Sequence, residues 1–400
     1  MKRNILLGSL AALVAATGAQ AQNNTPAKQV EMSGVRNTPG RLPRINPDEI
    51  ARGLRVPAGF TVNVFAANVG NPRMLAVAED GTVYVSRRDS SDVWMLRDRD
   101  GDGRADERRQ VARDILMAHG LALHGGKLYV ASVREVQSAD IRADGTLEPM
   151  KVIINDLPDG GQHPNRTIEF GPDGMMYISI GSSCNACNET NQEHATIVRA
   201  RPDGTERGVF ARGLRNTVGF GFHPQTREMW GSDMGSDWRG DDSPPDEINR
   251  IQVATDYGWP HCYANRVPDD YLATEPMGSR KEELCPRTAA PVLTYTAHSS
   301  PIQMKFYTGT QFPAEYRGDA FATLRGSWNR REFSGYKLVR IRFQNGQPAA
   351  IEDFATRFLT ADGRHYTARI AGLAVARDGS LLFTDDDYGV IYRVSYTGAR

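Results

Sequence analysis

His163 stands in "GGQHPNRTIEFGPDG", four residues before an apolar run that starts at Thr167. Imidazole has an ordinary pKa near neutral, so a histidine at the edge of a cavity can take a proton from a hydroxyl. The plainer role is that of a surface-loop histidine, and the surroundings must decide. Two other stretches offer polar groups in the same local context: Arg215 and Asn216 in "GLRNTVGFGF", and Arg369 in "TARIAGLAV". Guanidinium groups bind carboxylates and developing oxyanions. A base together with arginines suits oxidation of a hydroxyl-bearing carbon, which loses a proton and a hydride. No side chain accepts hydride, so that chemistry requires a cofactor. A dinucleotide is not expected, because no GxGxxG opens a helix and no βαβ unit is present.

The elements that would position these residues come from a repeat. "MLAVAEDGTVYVSRR" from Met74, "GLALHGGKLYVASV" from Gly120, "TIEFGPDGMMYISIG" from Thr167, "GFGFHPQTREMWGSDM" and "GLAVARDGSLLFTDD" from Gly372 share one pattern. Four are an apolar strand, a tight Asp-Gly or Gly-Gly turn and a second strand; "GFGFHPQTREMWGSDM" matches less closely. A third strand often follows, as in "SDVWMLRD" and "VIYRVSY". The segment from Ala320, "AFATLRGSW", fills the gap before the last copy. Recurring hairpins with no amphipathic helices between them predict an all-β, six-bladed β-propeller over residues 45–400. Sites in such folds lie at one mouth of the central channel. His163, Arg215 with Asn216, and Arg369 each precede the first strand of their repeat, so they are expected to share one cavity.

The start, "MKRNILLGSLAALVAATGAQAQ", has basic Lys2 and Arg3, an apolar stretch, and Ala19-Gln20-Ala21 as a small-x-small site. It reads as a signal peptide over residues 1–21, which points to export, most simply to a periplasm. Residues 22–44 read as an irregular leader strapped to the surface. No other apolar run is long enough to span a bilayer. Lys plus Arg and Asp plus Glu are both 48, and no basic stripe suggests nucleic acid.

Cys184 and Cys187 form a CxxC followed by Asn188 rather than His, which excludes c-type haem attachment there. Export permits disulfides, and the economical pairing is Cys184–Cys187 with Cys262–Cys285. A redox-active CxxC remains a further reading, although no thioredoxin-like pattern surrounds it. "DRDGDGRADE" gives Asp98, Asp100, Asp102 and Asp106 a calcium-loop spacing, but Arg109 stands at the twelfth position. A solvated turn and a structural calcium site are both open there. Trp238, Trp259 and Trp328 suit either a sugar wall or blade packing. His119, His261 and His298 read as loop or core histidines.

The chain resembles the soluble dehydrogenases of sugars that depend on pyrroloquinoline quinone (PQQ), and most closely the branch called L-sorbosone dehydrogenases. The resemblance rests on "GGQHPNRTIEFGPDG", "IGSSCNACNE", "FARGLRNTVGFGFHP", "GSDWRGDDSPPDEINRI", "DYGWPHCYANR" and "FATLRGSWNRREFSGYKLVRI", in that order. It implies His163 as the base and Arg215 at the quinone oxygen, with Asn216, Arg325 and Arg369 as cofactor contacts. Gly235 and Ser236 would bind, by their carbonyls, a calcium that also holds PQQ. Asp246, Glu247 and Tyr257 would sit in a loop holding a second calcium. The glucose-oxidising members carry an arginine where this chain has Ala371, a lysine where it has Arg325, and a glutamine near His119. The partners implied are a small sugar and a periplasmic cytochrome or quinone that takes the electrons. A calcium-dependent lactonase is the alternative; it would centre a metal on Glu, Asn and Asp side chains and would need no converging arginines. A binding module without chemistry is the third reading.

Overall fold

The computed structural model describes residues 33–398. The expected signal peptide and the first part of the leader lie outside the described residues. The repeat forms six four-stranded antiparallel sheets, one of them extended by a short parallel strand. Blade 1 runs from Pro72–Val77 to Glu107–Ala112, blade 2 from Gly120–His124 to Lys151–Ile154, and blade 3 from Arg166–Phe170 to Gly208–Arg212. Blade 4 runs from Thr217–Phe222 to Leu293–Tyr295, blade 5 from Pro301–Phe306 to Gln347–Ala355, and blade 6 begins at Ile370–Val375. The first strand of each blade packs on the first strand of the next, and blade 6 returns to blade 1. This closed ring is a six-bladed β-propeller.

The strand patterns explain the layering. The inner strand Pro72–Val77 is buried almost throughout, whereas the outer strand Glu107–Ala112 is largely exposed. Apolar side chains therefore fill the spaces between blades while polar outer strands face water. At Gly372 a Cβ would lie 2.1 Å from the Arg73 carbonyl oxygen, so only glycine lets blade 6 abut blade 1 this closely.

Two features depart from the sequence reading. Blade 5 does not start at Ala320: its inner strand is Pro301–Phe306, and Ala320–Leu324 is its second. The link between them carries a 3-10 turn at Ala314–Tyr316 instead of an Asp-Gly hairpin, so the repeat was hidden. Blade 6 takes its outermost strand from the other end of the chain, Phe60–Ala66 pairing with Val390–Tyr396. Phe60 presents its edge to Phe312 and Phe354 at 4.7 and 5.1 Å, which fastens the closure to blade 5.

In each hairpin the start of the first strand faces the end of the second. The pairs include Arg166 with Ile180, Thr217 with Asp233, Pro301 with Leu324 and Ile370 with Asp385. Residues just before a first strand and just after a second strand therefore collect at one mouth. Leader residues from Ser33 run across loops at this end: Asn37 N–H donates to the Trp328 carbonyl at 2.8 Å, and Gly40–Arg41 pairs with His365–Tyr366. No helix among the described residues is long and apolar enough to cross a membrane.

Candidate active site at the propeller mouth

His163 lies in the loop leading into blade 3. Its Nδ1 is 3.0 Å from the Ser182 carbonyl and 2.9 Å from Ser182 Oγ. A carbonyl only accepts, so Nδ1 carries the hydrogen and Nε2 keeps the lone pair. Ser182 Oγ–H donates in turn to the Cys184 carbonyl at 2.7 Å. Burial, then the charge of Arg215, pushes the His163 pKa down to about 3, so the ring is neutral at ordinary pH. A Cβ on Gly181 would lie 2.6 Å from His163 Cβ and 2.8 Å from Asn216 Oδ1. The bare glycine backbone is what lets those two side chains approach.

Arg215 is 2% exposed. Its Nε donates to the Asn185 carbonyl (2.9 Å), and its Nη2 donates to Asn185 Oδ1 (2.8 Å) and Asp237 Oδ2 (2.9 Å). Nη1 reaches only the Met234 carbonyl at 3.4 Å, which leaves one Nη1 hydrogen without a partner among the described residues. Asp233 anchors the turn from beneath, accepting from the backbone N–H groups of Arg215 and Asn216 at 3.0 and 2.8 Å.

A cavity of about 290 Å³ opens beside the His163 loop, lined by Arg73, Arg88, Asn165, Arg325 and Asp386 among others. Asp386 bridges Arg73 and Arg325, accepting from Arg325 Nη2 at 3.0 Å. Arg369 starts blade 6 nearby, and its guanidinium makes no hydrogen bond among the described residues. Its buried Nε is orphaned and its pKa is lowered by burial and by Arg325. The residue is only partly buried, so an anion can reach the guanidinium and pair with it. These residues fit a ligand carrying several carboxylates. His119, fully buried, accepts from Arg73 Nε at 3.3 Å and holds the Arg166 carbonyl with Nδ1 at 3.1 Å. It is a core histidine joining the first three blades.

The expected metal residues divide. Gly235 and Ser236 lie in the loop after the second strand of blade 4, and no donor among the described residues reaches their carbonyls. Glu247 lines a small space of about 20 Å³ together with Asp233, Gly235 and Ser236, room for a single ion or water. Burial pushes the Glu247 pKa up to about 7 and that of Asp233 to about 6, and the two repel each other. Glu247 already accepts from Ala264 N–H and Asn249 Nδ2, and Asp233 from Thr217 Oγ1; their remaining lone pairs beside free carbonyls suit a hard cation. Asp246 does not line that space. Its carboxylate takes the Gly235 and Ser300 N–H groups at 3.3 and 3.2 Å, and burial pushes its pKa up to about 8. Tyr257 lines the small space, but its hydroxyl is engaged, donating to the Arg250 carbonyl and accepting from Gln252 N–H.

Both disulfides form, Cys184–Cys187 and Cys262–Cys285, the second closing the long insertion of blade 4. Trp238 and Trp328 meet edge to face at 5.3 Å against the leader, and Trp259 lines the same small space. The Asp98, Asp100 and Asp106 carboxylates converge, but on the turn side of blade 1, away from the mouth.

A match to the TrAA12-like family covers residues 54–397, nearly the whole propeller including the closing strand. The chain belongs to the TrAA12-like family. It is 28% identical to an uncharacterized protein of Borreliella burgdorferi over 369 residues, which is 88% of this chain and 93% of that one. The holo PQQ domain of pyranose dehydrogenase from Coprinopsis cinerea matches with a TM-score of 0.73 at 20% identity, covering 86% of this chain and 97% of that one. A calcium structure of Trichoderma reesei family AA12 gives 0.73 at 22% identity, covering 86% and 98%. At these identities the likeness of the solved structures is one of fold.

In this TrAA12-like chain the mouth also holds residues that sequence reasoning passed over. Arg73 is the second residue of the first strand of blade 1, close to the position that singled out Asn216 and Arg369, and a search at the start of every repeat would have found it. Asp233 ends the second strand of blade 4 and Asp386 follows that of blade 6, positions equally readable once the hairpins are aligned. Asn185 and Asp237 carried no such signal, because they meet Arg215 only through folded loops.

Proposed function

We propose that this protein is a periplasmic oxidoreductase that oxidises an aldose or sugar aldehyde of the sorbosone type, with PQQ and calcium as cofactors. The observation that carries the reading is a neutral, tautomer-fixed His163 beside buried Arg215, near a cavity lined by Arg73, Arg88 and Arg325, with the unpaired Arg369 guanidinium beside it. PQQ, when bound, supplies the hydride acceptor. His163 Nε2 takes the proton of the reacting hydroxyl, while Ser182 keeps the other nitrogen protonated. Arg215 holds its free N–H toward the oxygen on which negative charge grows. Arg325 and Arg369 bind cofactor carboxylates, with Asn216 as a further contact. The Gly235 and Ser236 carbonyls, with Glu247 and Asp233 on the same small space, hold calcium; Asp246 keeps the Gly235 loop in place. The named Coprinopsis relative supports a pyranose-like substrate, and a periplasmic cytochrome or quinone would take the electrons.

Reconstitution tests the reading. Protein made in a host without PQQ is expected to be inactive toward aldoses with an artificial electron acceptor. PQQ with calcium restores turnover, and NAD does not. Activity in metal-free, PQQ-free protein, or lactone hydrolysis with calcium alone, overturns it.

A further inference from the structure

The four-residue loop closed by the Cys184–Cys187 disulfide touches three working parts of the mouth. The Cys184 carbonyl accepts from Ser182 Oγ, which fixes that oxygen as an acceptor for His163 Nδ1. Asn185, inside the ring, accepts from Arg215 with both its backbone and side-chain oxygens. Its Oδ1 also accepts from Asp237 N–H at 2.8 Å, its Nδ2 donates to the Asp237 carbonyl at 3.1 Å, and its carbonyl takes Ser236 Oγ–H at 3.3 Å. One short ring thus ties the base, the arginine and the segment that offers carbonyls to a cation. Both cysteines are half-buried rather than sealed in the core.

We propose that Asn185 is a positioning residue for Arg215, and that the Cys184–Cys187 disulfide holds it in place, so that reducing this bond lowers turnover reversibly. The inference rests on the function proposed above. Two of the three strong bonds of the Arg215 side chain end on Asn185, and only the third ends on Asp237. A three-residue separation closed by a covalent bond leaves Asn185 little backbone freedom. With the bond open, Asn185 gains freedom and both oxygens move off the guanidinium. The reductant is a small dithiol. Its thiolate attacks one sulfur and breaks the S–S bond. Two electrons and two protons end on Cys184 and Cys187 as thiols, and the dithiol leaves as its own cyclic disulfide.

The test uses full-length, PQQ- and calcium-loaded protein in four forms: wild type, wild type treated with dithiothreitol, Cys184→Ser/Cys187→Ser, and Asn185→Ala. A displacement of a catalytic group by about 1 Å costs on the order of a hundredfold. The three perturbed forms are therefore expected to lose about tenfold to a hundredfold in kcat. KM and PQQ affinity, read by absorbance titration, stay within about threefold, because Arg325 and Arg369 are untouched. Reoxidation restores the treated wild type, and the double variant does not respond to dithiothreitol although it keeps Cys262–Cys285. A second readout needs no turnover: the Arg215 Nε–H resonance exchanges slowly in wild type and rapidly in the other three forms. Full kcat in Asn185→Ala or in the double variant overturns the proposal, as does a double variant that still loses activity on reduction. If wild type shows no turnover with PQQ, the functional reading has failed, and the Arg215 resonance still decides the positioning role. An unchanged resonance in Asn185→Ala then overturns it.

Discussion

Replacing His163 by glutamine keeps size and polarity but removes the proton acceptor. A general base contributes about a hundredfold to ten-thousandfold, so kcat at saturating PQQ and calcium should fall by that order with PQQ binding nearly unchanged. Turnover within a few fold of wild type would return His163 to an ordinary loop residue. Its titration is a separate check. The folded pKa lies near 3, below the ordinary value of 6.5, because burial and Arg215 disfavour the imidazolium. Below about pH 6.5 the unfolded chain binds a proton that the folded chain refuses, so this group's contribution to stability is lost as pH falls. In cofactor-free protein the His163 ring, followed by NMR, should stay neutral from pH 8 to below pH 5. A midpoint near 6.5 would mean that the ring is solvated and not held as described.

The strand Phe60–Ala66 does for the ring what no other element can: it joins the two ends of the propeller in one sheet. Its pattern alternates buried and exposed residues before becoming wholly buried. Phe60, 7% exposed, packs against rings from blades 5 and 6. Truncating a buried phenylalanine typically costs about 3–5 kcal/mol. Phe60→Ala should lower the unfolding free energy by that amount in urea titration. A loss under about 1 kcal/mol would show that the closure is held by backbone pairing alone.

For the molecule as a whole, blade 4 gathers carboxylates whose pKa values burial raises. Glu247 and Asp233 share a space of about 20 Å³ in which Arg215 is the one lining cation, and a bound metal ion would add positive charge there. Calcium that binds only the folded state stabilises it by about 2.7 kcal/mol at a hundredfold excess over Kd. Calcium should therefore raise the melting temperature of wild type by several degrees, and Glu247→Gln should lose most of that gain. An equal rise in both proteins would place the ion elsewhere, with the Asp98 loop the next candidate.

The amino-acid order alone determined the blade count, the turn chemistry, both disulfides and which end of the hairpins gathers polar residues. Those features are local: period-two alternation and turn residues at fixed offsets follow from neighbours in the chain. The first strand of blade 5 escaped because its hairpin lacks the usual turn. The closing strand escaped because nothing near Phe60 tells that its partner is Val390–Tyr396. The same distance hid the pairing of Arg73 and Arg325 through Asp386, and the grip of Asn185 on Arg215. Tertiary structure also decided the protonation of His163, since burial and a neighbouring guanidinium set that and neither is a property of the histidine's own segment. It separated Asp246 from Glu247 as well: adjacent residues on a strand point to opposite faces, so one carboxylate clamps a loop while the other faces the small space.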